Sequence, residues 1–253
     1  MRIIRKSHKA TLSLAIAMVT LSGCNGLVSK SSPKTEQETY MNALGNVGSV
    51  VCQDPKSERK LCIDTAKSLV EGGHAREAIL LYEKAESLCP DQPKLHKELA
   101  ALYATKEDFS KAIQRYQSAL EKESDPDLLN NYLWTLMEAN RVDQALTAAR
   151  RGQTQFPHHE GLKSTLAVIE YKKGNRDAAF KIFESIMGTA PAYHNLAVLD
   201  IDHGNAQGAR KNLMLAISQS RDPNPLSIQL LKQLDQYTAE QTGTQRVAAQ
   251  PLQ

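Results

Sequence analysis

The sequence lacks every short motif that would announce catalysis. There is no Cys-x-x-Cys pair, so neither a dithiol redox centre nor a zinc site is indicated, and no phosphate-cradling loop or Gly-x-Gly-x-x-Gly occurs. Acids and histidines are plentiful, but none falls into a nucleophile and base set, so no enzyme, cofactor or metal is expected. His158-His159-Glu160 offers adjacent side chains in a loop with no second ligand pair at metal spacing, and reads as a solvated turn. Aromatics are scarce at 5% against 41% hydrophobic residues, and Trp134 is the single tryptophan. A core so poor in rings and rich in Ala and Leu suits packed helices better than sheets. Long apolar runs are missing too: the stretch from Thr11 to Leu21 is too short for a comfortable membrane span.

That short run has another reading. It follows a cationic start, Arg2, Arg5, Lys6 and Lys9, and ends in Leu21-Ser22-Gly23-Cys24, the layout of an export signal. Small residues before the cut let the backbone enter a peptidase, and the Cys24 thiol is the nucleophile that takes up lipid. The motif resembles the lipobox of bacterial lipoproteins. It implies a signal peptide over 1–23, a lipid anchor on Cys24 and, with Asn25 rather than Asp after it, a periplasm-facing protein at the outer membrane. Loss of the four cations turns the formal charge of +3 into −1, which argues against a nucleic-acid partner.

Residues 24–38 have little to bury and read as a flexible tether. In 39–54 a short helix is expected from Thr39 to Val50, and then Asp54-Pro55 looks like a helix cap followed by proline at the first helical position. Beyond that the chain repeats. Ala78, Ala112, Ala145, Ala179 and Ala209 follow turn triplets such as Gly72-Gly73-His74 and Gly174-Asn175-Arg176. Four residues past each alanine stand Tyr82, Tyr116, Ala149, Phe183 and Leu213, and three further Ala85, Ala119, Gly152, Ile186 and Ala216. Pro90, Pro157 and Pro191 are read as closing units, and Pro126 as opening one. The pattern resembles the tetratricopeptide repeat (TPR). It implies an all-α TPR superhelix over 55–241, with about five helix-turn-helix repeats and a C-terminal capping helix from Pro225, carrying Leu226, Leu230, Leu231 and Leu234. Residues 242–253 are expected to be a disordered tail.

Three cysteines remain in an oxidising compartment, Cys52, Cys62 and Cys89. A Cys52–Cys62 bridge would have to fold back along a helix, so a bridge that includes Cys89 is favoured, with Cys52 or Cys62 as partner. The alternative is a set of buried thiols. In TPR proteins five positions of each unit usually face the concave side. Carried onto this chain, they give Asn130, Trp134, Met137, Val168, Tyr171, His194, Val198 and Ile201 as a partner-binding groove with an apolar floor. The competing reading packs some of these between helices. By lipobox, size and repeats, the chain is similar to outer-membrane TPR lipoproteins that assist pilus and secretion machines, above all that of the tight-adherence (Tad/Flp) pilus. The resemblance implies a scaffold whose partner is a secretin or another pilus or secretion component. Pilotins, outer-membrane-protein assembly factors and adaptors for peptidoglycan hydrolases share the plan, and an envelope enzyme with TPR-like helices is the contrasting class.

Overall fold

The computed structural model describes residues 54–248, with side chains to residue 239. The export signal, Cys24, the tether, the helix expected near Thr39 and Cys52 lie outside the described residues. Within them the protein is all-α, with eleven helices and no strand. One compact unit ends at Lys94 and a second begins at Leu95.

The first unit is a helix pair, α1 (Pro55–Glu71) and α2 (Ala75–Leu88). The Asp54 carboxylate accepts hydrogen bonds from the Lys56 and Ser57 amides, each at 3.1 Å, ahead of proline at the first position. Cys62 and Ala66 of α1 are buried with Ala78, Leu81, Tyr82 and Ala85 of α2. Cys89, just past α2, lies 3.5 Å from the Pro55 carbonyl, so the two helices do bring it to the start of α1. The Cys62–Cys89 version of the expected bridge is nevertheless not formed. Seven residues of helix, about 10 Å, separate Pro55 from Cys62, whereas a disulfide needs Cα atoms within about 7 Å.

The second unit holds α3 (His96–Thr105), α4 (Phe109–Leu120), α5 (Pro126–Glu138), α6 (Val142–Gln155), α7 (Glu160–Lys172), α8 (Arg176–Met187), α9 (Thr189–Asp202), α10 (Ala206–Ser218) and α11 (Pro225–Ala248). Consecutive helices pair from α3/α4 to α9/α10, and α11 packs on α10. The five hairpins among the described residues close identically. The amide after each turn donates five residues back: His74 to Leu69, Asp108 to Tyr103, Arg141 to Leu136, Asn175 to Glu170 and Asn205 to Asp200, at 2.8 to 3.0 Å. The residue before that amide is left-handed, Gly73, Glu107, Asn140, Gly174 or Gly204. This is the Schellman ending, and glycine fills it without the Cβ penalty.

The repeated alanines explain the hairpins. Ala78, Ala112, Ala145, Ala179 and Ala209 are all fully buried, where two helix backbones cross and a larger group would hold them apart. The third pair lacks the large residue four positions on, having Ala149, and lacks a side chain at Gly152. Leu129 of α5 occupies that room: a Cβ on Gly152 would lie 2.4 Å from its Cδ2. His159 is more than a solvated turn residue, since its Nδ1 accepts from the Leu162 amide and caps α7.

Three expectations change. Pro191 does not close a unit; it lies in the first turn of α9, where the missing N–H is no loss. The close is made by Gly188 alone, at φ 86 and ψ 174, a combination essentially restricted to glycine. Leu226 of the cap helix is 62% exposed, while Leu234 is buried with Ala197, Ala209 and Leu213, and Leu230 and Leu231 pack against them. Finally, α11 continues past Thr242 to Ala248, into the segment expected to be disordered. A helix already nucleated gains one backbone bond per added residue.

Candidate functional site on the first helices

The first helices of the pairs, α5, α7 and α9, stand side by side, with α11 in the next place. One hydrogen bond links each neighbour about one repeat apart. Thr165 donates to the Asn130 side-chain oxygen at 2.6 Å, Tyr171 donates to Asp200 at 2.6 Å, and His194 Nδ1 meets the Ser227 hydroxyl at 2.8 Å. The cap of α5 is strong: Asp125 accepts from the Asp127 amide at 2.9 Å and the Leu128 amide at 3.2 Å. These backbone bonds, joined by the Lys97 ammonium and opposed by burial, hold its carboxyl below the usual range.

The eight expected groove residues divide. Trp134 of α5 and Val198 of α9 are exposed, at 41% and 37%. Met137 is a correction: at 5% exposure it belongs to the core that α5 shares with its neighbours. Tyr171 is another, with its ring among Ala167, Ala179 and Phe183. Val168 and Ile201 are half-buried against these cores. Asn130 and His194 spend polar atoms on neighbouring helices, and burial lowers the His194 pKa. A continuous apolar floor therefore does not form. Packing within and between the pairs covers these faces, Tyr171 also against Ala192 and Leu196 of α9.

The polar centre that sequence reasoning missed lies beneath. Asp200 is fully buried. It receives Tyr171, both terminal nitrogens of Arg176, Asn205 at 3.0 Å and Asn212 at 2.8 Å. Burial alone would raise its pKa, but the bonds from Arg176 and Tyr171 outweigh this and hold the carboxyl low. Burial, seconded by Asp200, pushes the Tyr171 phenol up to about 12. One repeat earlier Glu170 takes Arg150 at 3.0 Å and Asn175 at 2.8 Å. A signal was present in the sequence, an acid followed four and five residues later by Gly-Asn: Glu170 before Gly174-Asn175 and Asp200 before Gly204-Asn205. These ties fix one repeat on the next. Among the described residues no group of three His, Cys, Asp or Glu side chains could hold a metal ion.

No family model matches the sequence, and no curated protein does. Solved structures do. MamA protein superposes with a TM-score of 0.51 at 15% identity, over 63% of this chain and 90% of that one. PilF of Pseudomonas aeruginosa gives 0.48 at 20% identity, over 74% and 87%. YrrB, described as a TPR protein with an unusual peptide-binding site, gives 0.48 at 20% identity, over 68% and 90%. At such identities the likeness bears on the fold alone. Paired helices, a common turn closure and buried alanines at about 34-residue spacing make this an all-α TPR fold.

Proposed function

We propose that this protein is a lipid-anchored scaffold of the bacterial cell envelope, fixed through Cys24 at the outer membrane and facing the periplasm. Its first helices hold a protein partner during assembly of a pilus or secretion machine, with the tight-adherence pilus apparatus the leading candidate and a secretin or another component as partner. The observation that carries the binding part is Trp134. Its indole is 41% exposed on a helix whose other large apolar groups are buried, and aromatic anchors of this kind dominate binding energy at protein interfaces. The anchor and the machine rest on Leu21-Ser22-Gly23-Cys24 and on the resemblance to TPR lipoproteins.

The test uses Trp134 as its own reporter, since no other tryptophan contributes emission. A solubilised secretin or pilus component that docks on this face shifts the emission to the blue as water leaves the indole. Trp134→Ala is expected to weaken that complex by about 2 kcal/mol, roughly thirtyfold, with little change in melting. If Trp134→Ala melts much earlier and, once folded, still binds with unchanged affinity, the site is elsewhere.

A further inference from the structure

A second site lies away from the first-helix face. Between α4 and α6, over α5, the surface opens into a cleft of about 570 Å³, within the range of small-ligand sites. It opens on the repeat that departs from the pattern. Ala148 and Gly152 line it where α6 carries little side-chain bulk, so Leu129 and Phe156 form an apolar floor.

The polar groups are oriented before any ligand arrives. Gln117 donates to the Tyr132 hydroxyl at 3.0 Å, and Gln155 donates to the Ser124 hydroxyl. Their amide oxygens remain as acceptors, and Gln144 adds a third amide. Tyr132 is only 8% exposed, and its hydroxyl, having accepted from Gln117, keeps its own proton to give.

Charge decides what fits. The cleft's carboxylates already have cations beside them: Glu123 and Asp125 share the Lys97 ammonium, and Asp143 pairs with Lys173 at 2.6 Å. Arg151 is the cation lining the cleft, and its guanidinium has no protein partner among the described residues. One positive fork, three amides, a phenol donor and a small apolar floor match a peptide main chain that ends in a carboxylate. Guanidinium and carboxylate form strong charge-assisted hydrogen bonds, and glutamine amides offer the donor and acceptor pair that a peptide group needs.

We propose that the cleft between α4 and α6 binds the C-terminal residues of a partner protein, with the terminal carboxylate on Arg151, the main chain along Gln117, Gln144 and Gln155, and a small apolar side chain over Gly152. The probe is an N-acetylated tetrapeptide of alanine, serine, alanine and leucine, prepared as the free acid and as the C-terminal amide. It is titrated into the mature full chain by calorimetry, with amide-shift mapping. The free acid is expected to bind at least about tenfold tighter than the amide, with shifts on α4 and α6 and none at Trp134. Arg151→Gln should erase the preference, and Thr147→Trp should block binding by filling the cleft, with helical circular dichroism unchanged in both. Equal affinity of acid and amide, no binding at millimolar peptide, a preference that survives Arg151→Gln, or shifts centred elsewhere would overturn the proposal. So would a charge-independent fit of N-acetylglucosamine oligomers to the same cleft. Because Trp134 is not involved, none of these results bears on the first-helix face.

Discussion

Asp200 shows at the scale of one residue how a buried charge is kept. With no exposure and donors from α7, α8, α10 and the turn before α10, the carboxylate has every lone pair directed at a partner. Replacing it with asparagine leaves no void, but it removes the charge facing Arg176 and sets an amide NH2 against groups that need an acceptor. Breaking one side of a buried pair costs about 3–5 kcal/mol, and the lower end applies here because Arg176 is partly exposed. Asp200→Asn is therefore expected to lose about 3 kcal/mol at neutral pH, measured by urea unfolding. The pH dependence has a definite sign. A carboxyl held lower in the fold than in the unfolded chain stabilises fully above the unfolded value, about 3.9, and the gain is lost as pH falls through the folded value. The gap between wild type and Asp200→Asn should stay constant from neutral pH to about 5 and close below 4. A gap that stays open in acid would mean the carboxylate contributes by shape and not by charge.

At the scale of the element, α6 is the test of the repeat. Elsewhere Tyr82, Tyr116, Phe183 or Leu213 fills the place that Ala149 holds here. The missing volume is returned by α5, through Leu129 reaching Gly152. Helix propensity alone makes Gly152→Ala favourable by about 1 kcal/mol. The 2.4 Å approach of Leu129 Cδ2 opposes it, and overpacking of this kind costs about 1–3 kcal/mol. We expect a net loss of stability in Gly152→Ala, partly recovered when Leu129→Val is added, read as a favourable coupling in a double-mutant cycle. A stabilised Gly152→Ala would show that propensity governs α6 and that the leucine moves at no cost. The turns tell a similar story: Glu107 and Asn140 hold left-handed positions that glycine takes in the other three hairpins.

On the scale of the whole molecule, the proposed role depends on joining a membrane anchor to a row of helix pairs. None of the described helices is long and apolar enough to cross a membrane; the proposed attachment is the lipid on Cys24. Cys24→Ser is expected to leave a heavier, unprocessed precursor and to abolish incorporation of labelled fatty acid, whereas wild type is expected to be acylated and to float with outer-membrane fractions. Wild-type protein recovered soluble and unacylated would remove the anchor and, with it, the envelope scaffold.

How much of this was legible in the sequence follows from the range of the forces involved. Local chemistry was readable: Asp54-Pro55 caps its helix, Pro126 opens another, glycines mark turns, and alanines at repeat spacing lie buried. Those are decided within a few residues, or by a period that the chain itself repeats. Pro191 was misplaced because the one-residue turn at Gly188 breaks that period. The groove was only half legible. Repeat position orients a side chain relative to its own helix, but exposure depends on how near the next first helix comes. Tertiary packing therefore buried Met137 and Tyr171, left Trp134 and Val198 in water, and gathered Tyr171, Arg176, Asn205 and Asn212 on Asp200. Sequence period by itself determined which residues turn and pair. Only the close stacking of one pair on the next decided which of them remain accessible to a partner.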